Sequence, residues 1–428
     1  MDLYYANAKT IATLLQHHGF KAYFCGGFVR DMILNRPSHD IDIVTDATPD
    51  QIIELFPTTI TMGIEHGVVI VRHNNSNIDV ATLRKDGNYS DGRRPDSVIF
   101  TDNIYEDAMR RDFTINALYY DPSSLEVFDP TGFGVDDLKI KQITAVGNAC
   151  DRFNEDKLRM LRAARFATTL HFSLHHNLIR AIRELAHEIT CVSWERIREE
   201  LIKIIDNDNA YHGLHLLKDT HLLEYILPEV YALIGREQKK EWHPEGDAFE
   251  HTAHVVQNAP SELSLAALLH DVGKVCGTKD HDKNGLNIAE TALRRLKFDN
   301  VTIDNTLYYV RNHMIAHRFL DMRESKQKRH AADKRFFNLL LLAEADDMTG
   351  RDKIEEIIER VFELNKTEIA PERIFTGHNL IGLGFKPGPI YSEILNAVYD
   401  EQLEGNITTL EQAIDFVERH WTCTVLAP

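Results

Sequence analysis

The sequence predicts an α+β chain: a mixed α/β head at the N-terminus, then an all-helical remainder. Three observations carry this. Short β-branched and aromatic runs at 22–24, 41–44, 68–72, 78–83 and 117–120 are separated by polar turns, with helical patterns between them at 49–55 and 104–111. Past Thr131-Gly132 the strand signal ends. From Asp136 onward the period is helical, with breaks at Leu227-Pro228, His243-Pro244-Glu245-Gly246, 277–285 and Ala370-Pro371.

At 428 residues the chain is long for one core, and about two to four domains are expected. Hydrophobic content of 43% and charged content of 27% are those of a soluble globular protein. The first 19 residues carry Leu3, Ile11, Leu14 and Leu15 among polar residues, the pattern of a short amphipathic helix rather than a signal peptide. The longest apolar run, 339–343, is far too short to span a bilayer, so no membrane partner is expected. Cys25, Cys150, Cys191, Cys276 and Cys423 lack CxxC spacing, which suggests reduced thiols in a cytoplasmic protein. A net charge of −18 argues against non-specific coating of nucleic acid. A nucleic-acid substrate would require Arg and Lys concentrated on one surface, with binding that weakens steeply with salt.

In chain order, the first chemistry-bearing segment is Phe24-Cys25-Gly26-Gly27-Phe28-Val29-Arg30-Asp31. A Gly26-Gly27 turn at a helix start lets backbone N–H groups approach an anion. It equally serves simply to turn the chain. Arg30 is available to a phosphate, or to an ion pair with Asp31 or Asp40. Asp40 and Asp42 follow on an apolar strand pattern, where residues i and i+2 share a face and can converge on hard divalent cations. Asp79, on the next strand pattern, is placed to deprotonate or orient an attacking hydroxyl, or is an ordinary outward charge. The run Arg84 to Pro95 is glycine-punctuated and charge-dense, the composition of a mobile loop beside a site. Arg110-Arg111 near a helix end can clamp a triphosphate or ribose, with Asp112 and Asn116 available to hydroxyls. The alternative is a polar helix end capped by Asp112.

In Glu155-Asp156-Lys157-Leu158-Arg159 a helix would place Asp156 and Arg159, i and i+3, on one face. A carboxylate accepts and a guanidinium donates, which matches the base edges of cytosine and adenine and refuses guanine and uracil. A helical salt bridge is the simpler alternative. Arg162 and Arg165 extend the stripe toward phosphates.

Taken together, the order GGxVRD, DxD, RRDFTxNA and EDxxRxxRxxRF resembles the bacterial class II tRNA nucleotidyltransferases, the CCA-adding enzymes and their poly(A) polymerase relatives. The resemblance implies that Asp40 and Asp42 bind catalytic Mg²⁺ and that Arg110, Arg111 and Asp112 contact the incoming nucleotide. It further implies that Asp156 and Arg159 act as a protein template for CTP and ATP, with tRNA as partner. Ser193-Trp194-Glu195-Arg196-Ile197 resembles the supporting neck-helix motif.

A second constellation comprises His251, His270-Asp271, Lys274, His281, His313 and Asp346. Imidazole and carboxylate donors suit Ni²⁺, Mn²⁺, Fe²⁺ or Zn²⁺ better than Ca²⁺. The set resembles the HD phosphohydrolase superfamily. That resemblance implies His251, His270, Asp271 and Asp346 as metal ligands, with Lys274, His281 and His313 near the scissile phosphate. Attached HD domains imply 2′,3′-cyclic phosphodiesterase, 2′-nucleotidase and phosphatase activities; a degenerate structural fold is the alternative. The stretch 374–417 resembles the tRNA-contacting tail of the same enzymes, except that Asn379 stands where the family usually has an acid. The expected domains are a nucleotidyltransferase head (1–135), a helical neck and body (136–235), an HD domain (236–355) and a helical tail (356–428), in a monomer or homodimer.

Rival readings stay within sight. Met62-Gly63-Ile64-Glu65-His66-Gly67 lacks the basic stretch expected of a poly(A) polymerase, and the complete 84–95 loop disfavours a CC-only enzyme. A CCA-adding enzyme is the leading expectation, and an A-only enzyme is compatible with the same sequence. From another class, an HD hydrolase with a regulatory nucleotide-binding head, or a non-enzymatic RNA-binding scaffold, is opposed by the intact acids of the head.

Overall fold

A computed structural model describes residues 2–38, 40–61, 63–87, 97–238, 241, 244–277, 279–347, 353–365 and 369–421. The chain forms two compact units, Met1–Tyr231 with Arg294–Lys297, and Ala232–Leu293 with Phe298–Pro428.

In the first unit, β1 (Ala22–Cys25), β2 (Asp42–Thr45), β3 (Thr59–Ile60), β4 (Val68–His73), β5 (Ser76–Thr82), β6 (Arg84–Asp86), β7 (Val98–Phe100), β8 (Tyr119–Asp121) and β9 (Glu126–Phe128) carry the head. Seven of them form one sheet in the order β3-β4-β5-β2-β1-β8-β9, while β6 and β7 pair separately. β1 runs antiparallel to β2 with Cys25 opposite Asp42. β2 runs parallel to β5 with Ile43 opposite Val80. A parallel pair needs a long crossover, supplied here by the helix Pro49–Leu55 and the β3–β4 hairpin. That helix starts where the sequence predicts because Thr48 and Gln51 form a reciprocal capping box and Pro49 sits at its first position. Asn74 and Asn75 both take positive φ, 54° being their midpoint within values of 44° and 64°, and so make the two-residue turn joining β4 to β5. Phe24, Ile43 and Val80 are fully buried beneath the sheet, each side chain contributing about 2 kcal/mol.

Four sequence expectations change. β2 begins at Asp42, so Asp40 precedes the strand and stays exposed. Arg84–Asp86 is a strand rather than loop, held by Val98–Phe100; the loop residues 88–95 lie outside the described residues. Strand structure does not end at residue 132, because Gln142–Ile143 pairs in parallel with Ser173–Leu174. Asp156 is not helical: it lies between the helices Ala149–Glu155 and Leu158–Leu170 with φ −145° and ψ 108°.

The second unit is helical. The helices Ala248–Asn258, Ser264–Leu269, Asn300–Asn312 and Phe336–Asp346 bury Phe249, Leu268, Val310, Leu339 and Leu342. Its last helices, Gly377–Gly382, Pro389–Leu403 and Leu410–His420, close around Phe375, Leu380, Ile394, Val398, Ala413 and Val417. Asn379 accepts a hydrogen bond from the Thr376 backbone N–H at 2.8 Å, so its amide oxygen does the capping work an acid would do. Among the described residues no helix is long and apolar enough to cross a membrane.

Candidate nucleotide and metal sites

The head site starts from strand register. One residue before the Ile43–Val80 pair, Asp42 and Asp79 become lateral neighbours on parallel strands. Burial, then the charges of Asp40 and Asp79, push the Asp42 carboxyl up to about 6. Burial and Asp40 likewise raise Asp79. The three predicted acids therefore share one field, and like charges that raise one another are relieved by a divalent cation.

Facing them is a guanidinium cluster whose anchor the motif reading missed. Asp107, fully buried, accepts hydrogen bonds from Arg110 Nη2 at 2.7 Å, Arg111 Nη2 at 3.1 Å and Tyr119 Oη at 2.7 Å. Burial opposes its charge, but Arg111 and Arg110 outweigh it and hold the carboxyl at about 2. The signal was present as Asp-x-x-Arg-Arg on one helical turn, i to i+3 and i+4. Arg111 lowers the pKa of Asp42, which ties the acids to this cluster.

Gly26 adopts φ 69°, and a Cβ there would lie 3.3 Å from Arg111 Nη1; glycine is required for both reasons. Its N–H donates to Leu118 O at 3.1 Å, so this half of the glycine pair is spent on the fold rather than offered to an anion. Gly27 opens the short helix Gly27–Ile33. Arg30 pairs with Asp31 at 2.9 Å, not Asp40, and donates to Asn116 Oδ1 at 2.8 Å. Asn116 in turn donates to Asp112 Oδ1 at 3.1 Å, and Arg162 grips the other oxygen of Asp112 at 2.7 Å. Burial opposes the Asp112 charge, and Arg162 overcomes it to hold the carboxyl at about 2.

Asp156 and Arg159 are engaged separately. Asp156 accepts from Leu158 N–H at 3.0 Å and pairs with Arg196 Nη2 at 2.7 Å. Arg159 pairs with Glu155 at 2.5 Å and donates to Arg110 O at 3.0 Å, which links it to the clamp. Arg165 pairs with Glu200 at 2.9 Å. The Phe166 ring gathers Arg30, Arg162 and Arg165, their guanidinium carbons 5.1, 5.2 and 4.1 Å from its centroid. Arg196 and Glu200 were not singled out from sequence as site residues, since no spacing rule links them to Asp156 and Arg165; Glu155, by contrast, stands at the i, i+4 spacing from its partner Arg159. A separate cavity of about 430 Å³, lined by Met109, Thr114, Phe133, Asp137, Thr144 and His175, contains none of these residues.

In the second unit, His251, His270 and Asp346 form one set of donor atoms within 4.8 Å of one another, and Asp271, His281 and His313 form another. His251 Nε2 lies 2.7 Å from Asp346 Oδ1 and 3.3 Å from His270 Nε2. Lys274 Nζ contacts Asp271 Oδ2 at 2.5 Å and donates to Gln238 Oε1. Glu245, absent from the predicted set, accepts from His251 Nδ1 at 2.6 Å. Burial opposes a charge on His270, but Asp271 and Asp346 hold it up to about 10, a field that favours positive charge at this point.

The family described as Poly A polymerase head domain matches residues 22–144, and that described as Probable RNA and SrmB- binding site of polymerase A matches 171–233. The CCA-adding enzyme of Bacillus mycoides (strain KBAB4) is 31% identical over 428 residues, 97% of this chain and 98% of the relative. The chain belongs to the CCA-adding enzyme family. The CCA-adding enzyme of Lactococcus lactis subsp. cremoris (strain MG1363) is 42% identical over 227 residues, which is 52% of this chain and 56% of the relative, so that match spans little more than half of either. The crystal structure of the Bacillus stearothermophilus CCA-adding enzyme in complex with CTP aligns over 98% of both chains with a TM-score of 0.71 and 27% identity. CCA-adding enzymes thus share with this chain a mixed α/β head on a mostly helical remainder.

Proposed function

We propose that the chain builds or repairs the 3′-CCA end of tRNA from CTP and ATP without a nucleic-acid template. The observation that carries this reading is the coupling of the Asp40, Asp42 and Asp79 acids to the Asp107-anchored Arg110–Arg111 clamp, through Arg111 and Asp42. The tRNA 3′-hydroxyl attacks the α-phosphorus of CTP, twice, and then of ATP, releasing pyrophosphate each time. Asp40 and Asp42 would hold Mg²⁺, which when bound supplies nucleophile activation and charge neutralisation at the leaving group. Asp79 orients the attacking hydroxyl beside Asp42. Arg110 and Arg111, already fixed by Asp107, meet the triphosphate without reorganising. Asp156 and Arg159 read the base edge, Asp156 exchanging Arg196 and Arg159 exchanging Glu155 for the nucleotide. Arg162 and Arg165, locked to Asp112 and Glu200, support that wall. The head, neck and body, second-unit and tail boundaries of the sequence reading, at 135, 235 and 355, belong to this proposal.

The deciding experiment supplies purified protein and Mg²⁺ with three tRNA transcripts, ending before CCA, after C and after CC. CTP and ATP are given separately and together, with products read at nucleotide resolution. Completion of CCA on all three, and stopping there, is expected. A addition to the CC-ended transcript alone would make it an A-adding enzyme, and long A tracts a poly(A) polymerase.

A second reading has its own observation, the paired donor sets of the second unit. It is an HD-type phosphohydrolase centre loaded with Ni²⁺, Mn²⁺ or Fe²⁺, hydrolysing 2′,3′-cyclic, 2′- and simple phosphate esters. Lys274, tethered between Asp271 and Gln238, would meet a phosphate oxygen. Metal-dependent ring opening of 2′,3′-cyclic AMP to the nucleoside monophosphate, lost in Asp271→Ala, tests it.

A further inference from the structure

We infer that the cavity of about 430 Å³ in the first unit is a binding site for a small organic cation, an amidinium or protonated amine on a flat apolar body, anchored by the Asp137 carboxylate. The inference goes beyond the nucleotidyl-transfer and phosphohydrolase readings and rests on neither.

Asp137 carries the argument. It sits on the helix Gly134–Ile140, is 8% exposed, and lines the cavity. Its Oδ2 accepts a hydrogen bond from Thr114 Oγ1 at 2.5 Å. Among the described residues no Lys, Arg or His pairs with it, and nothing donates to its Oδ1. Other enclosed acids of this unit are treated differently. Asp107 holds Arg110 and Arg111, Asp112 holds Arg162, and Glu200 holds Arg165. A carboxylate withdrawn from water normally has such a partner, because desolvation opposes its charge. Asp137 is instead left with one oxygen for the cavity.

A second group beside it is also open. Thr144 Oγ1 is buried without a hydrogen-bond partner and lines the same cavity. Thr114 spans the two: its N–H donates to Thr144 O at 3.0 Å while its hydroxyl donates to Asp137. An amidinium or ammonium carries several N–H donors on one charge, and so can serve Asp137 and Thr144 together. The walls set the rest of the ligand. Phe133 and Met109 line the cavity, yet they are 66% and 49% exposed, an aromatic ring and a thioether left bare to solvent. A hydrated inorganic ion gains nothing from such walls, whereas a flat apolar body covers them. The volume falls in the range of roughly 300–1,000 Å³ that small-molecule sites occupy. The cavity is separate from the nucleotide site although it shares backbone with it. Val146 N–H donates to Asp112 O at 3.2 Å, but the Asp112 side chain turns to Arg162 and the Thr114 side chain to Asp137.

The test uses benzamidine as the probe and benzamide as its uncharged counterpart. The full chain carries Asp40→Ala and Asp42→Ala, so that cations drawn to the acids of the head do not contribute. Titrations at neutral pH are followed by saturation-transfer nuclear magnetic resonance. Benzamidine is expected to bind at least about tenfold more tightly than benzamide, the worth of a charge-assisted hydrogen bond. Asp137→Asn keeps an acceptor for Thr114 and removes the charge, and should weaken benzamidine by at least about tenfold. Phe133→Ala should weaken both compounds by about threefold. Thermal melting without ligand checks that each variant is folded. If Asp137→Asn does not fold, Phe133→Ala and Thr144→Val decide, each expected to weaken benzamidine. Absence of benzamidine binding, equal binding of the two compounds, or undiminished binding in the deciding variants overturns the inference.

Discussion

The two sites of this chain solve opposite problems. In the head, Arg110, Arg111, Arg162 and Arg165 are each matched to an internal acid, while Asp40, Asp42 and Asp79 have mainly one another. In the second unit the acids and imidazoles interlock at hydrogen-bond distance. Among the described residues, sets of three donors within 4.8 Å occur only there. On the proposed reading, the head is an open edge that the nucleotide and its accompanying ions would complete. The second site is a closed cage with its donor spacing already set. On the proposed reading, a site that releases product each cycle and one that keeps its ions need different degrees of prior assembly.

The largest effect should come from breaking the open edge. Asp42→Ala is expected to lower nucleotide addition by at least about 10³-fold, on the scale of losing a principal charge-stabilising group, while tRNA binding and the metal content of the second unit persist. Appreciable incorporation by this variant would sink the head assignment.

Asp107→Asn removes the anchor shared by Arg110 and Arg111, and should cost about 3 kcal/mol in chemical denaturation at pH 7 because two guanidiniums lose their buried partner. The pH dependence has a definite sign. The folded carboxyl, at about 2, lies below its ordinary 3.8, so its contribution is complete above pH about 4 and disappears as pH falls toward 2. The gap between wild type and variant should narrow by roughly 2 kcal/mol over that window. A gap independent of pH would mean that Asp107 acts through packing alone.

Chelation should separate the two regions. Stripped protein is expected to lose about 3 kcal/mol of stability relative to protein holding second-site metal at 100 times its dissociation constant, and Mg²⁺ alone should restore nucleotide addition. Equal unfolding curves with and without metal would contradict a preformed cage. The smallest effect concerns base choice. Arg159→Ala should reduce discrimination between CTP and UTP by roughly 10–100-fold, the worth of a bidentate base contact, with little change in triphosphate affinity. Unchanged discrimination would remove Arg159 from base reading.

Much of the head was legible because its chemistry is local. The helix Pro49–Leu55 announced itself through Thr48, Pro49 and Gln51, and the β1, β2, β4 and β5 runs through their apolar patterns. The break at Asp156 was not legible. The segment from Glu155 to Phe166 is uninterrupted in helical propensity, and it is broken by contacts from elsewhere: Arg196, 40 positions on, holds the Asp156 side chain. The strands Gln142–Ile143 and Ser173–Leu174 are two residues each, too short to show a period. In the second unit every donor residue of the two sets was visible, but which oxygen of Asp271 meets which histidine depends on positions 32 residues apart coming together at His281 and His313.

The pairing of Cys25 with Asp42 across β1 and β2 has a practical consequence. Burial pushes the Cys25 thiol up to about 11, so at neutral pH it is protonated, enclosed and inert to alkylating reagents, whereas Cys191 and Cys276 are exposed. Any labelling of Cys25 must therefore wait for the buried cluster it shares with Val44, Leu83 and Tyr119 to open. Its slow alkylation, read by peptide mass against the fast reaction of Cys191, is a built-in clock for how often this part of the head opens, and bound CTP should make that clock run slower on the proposed reading.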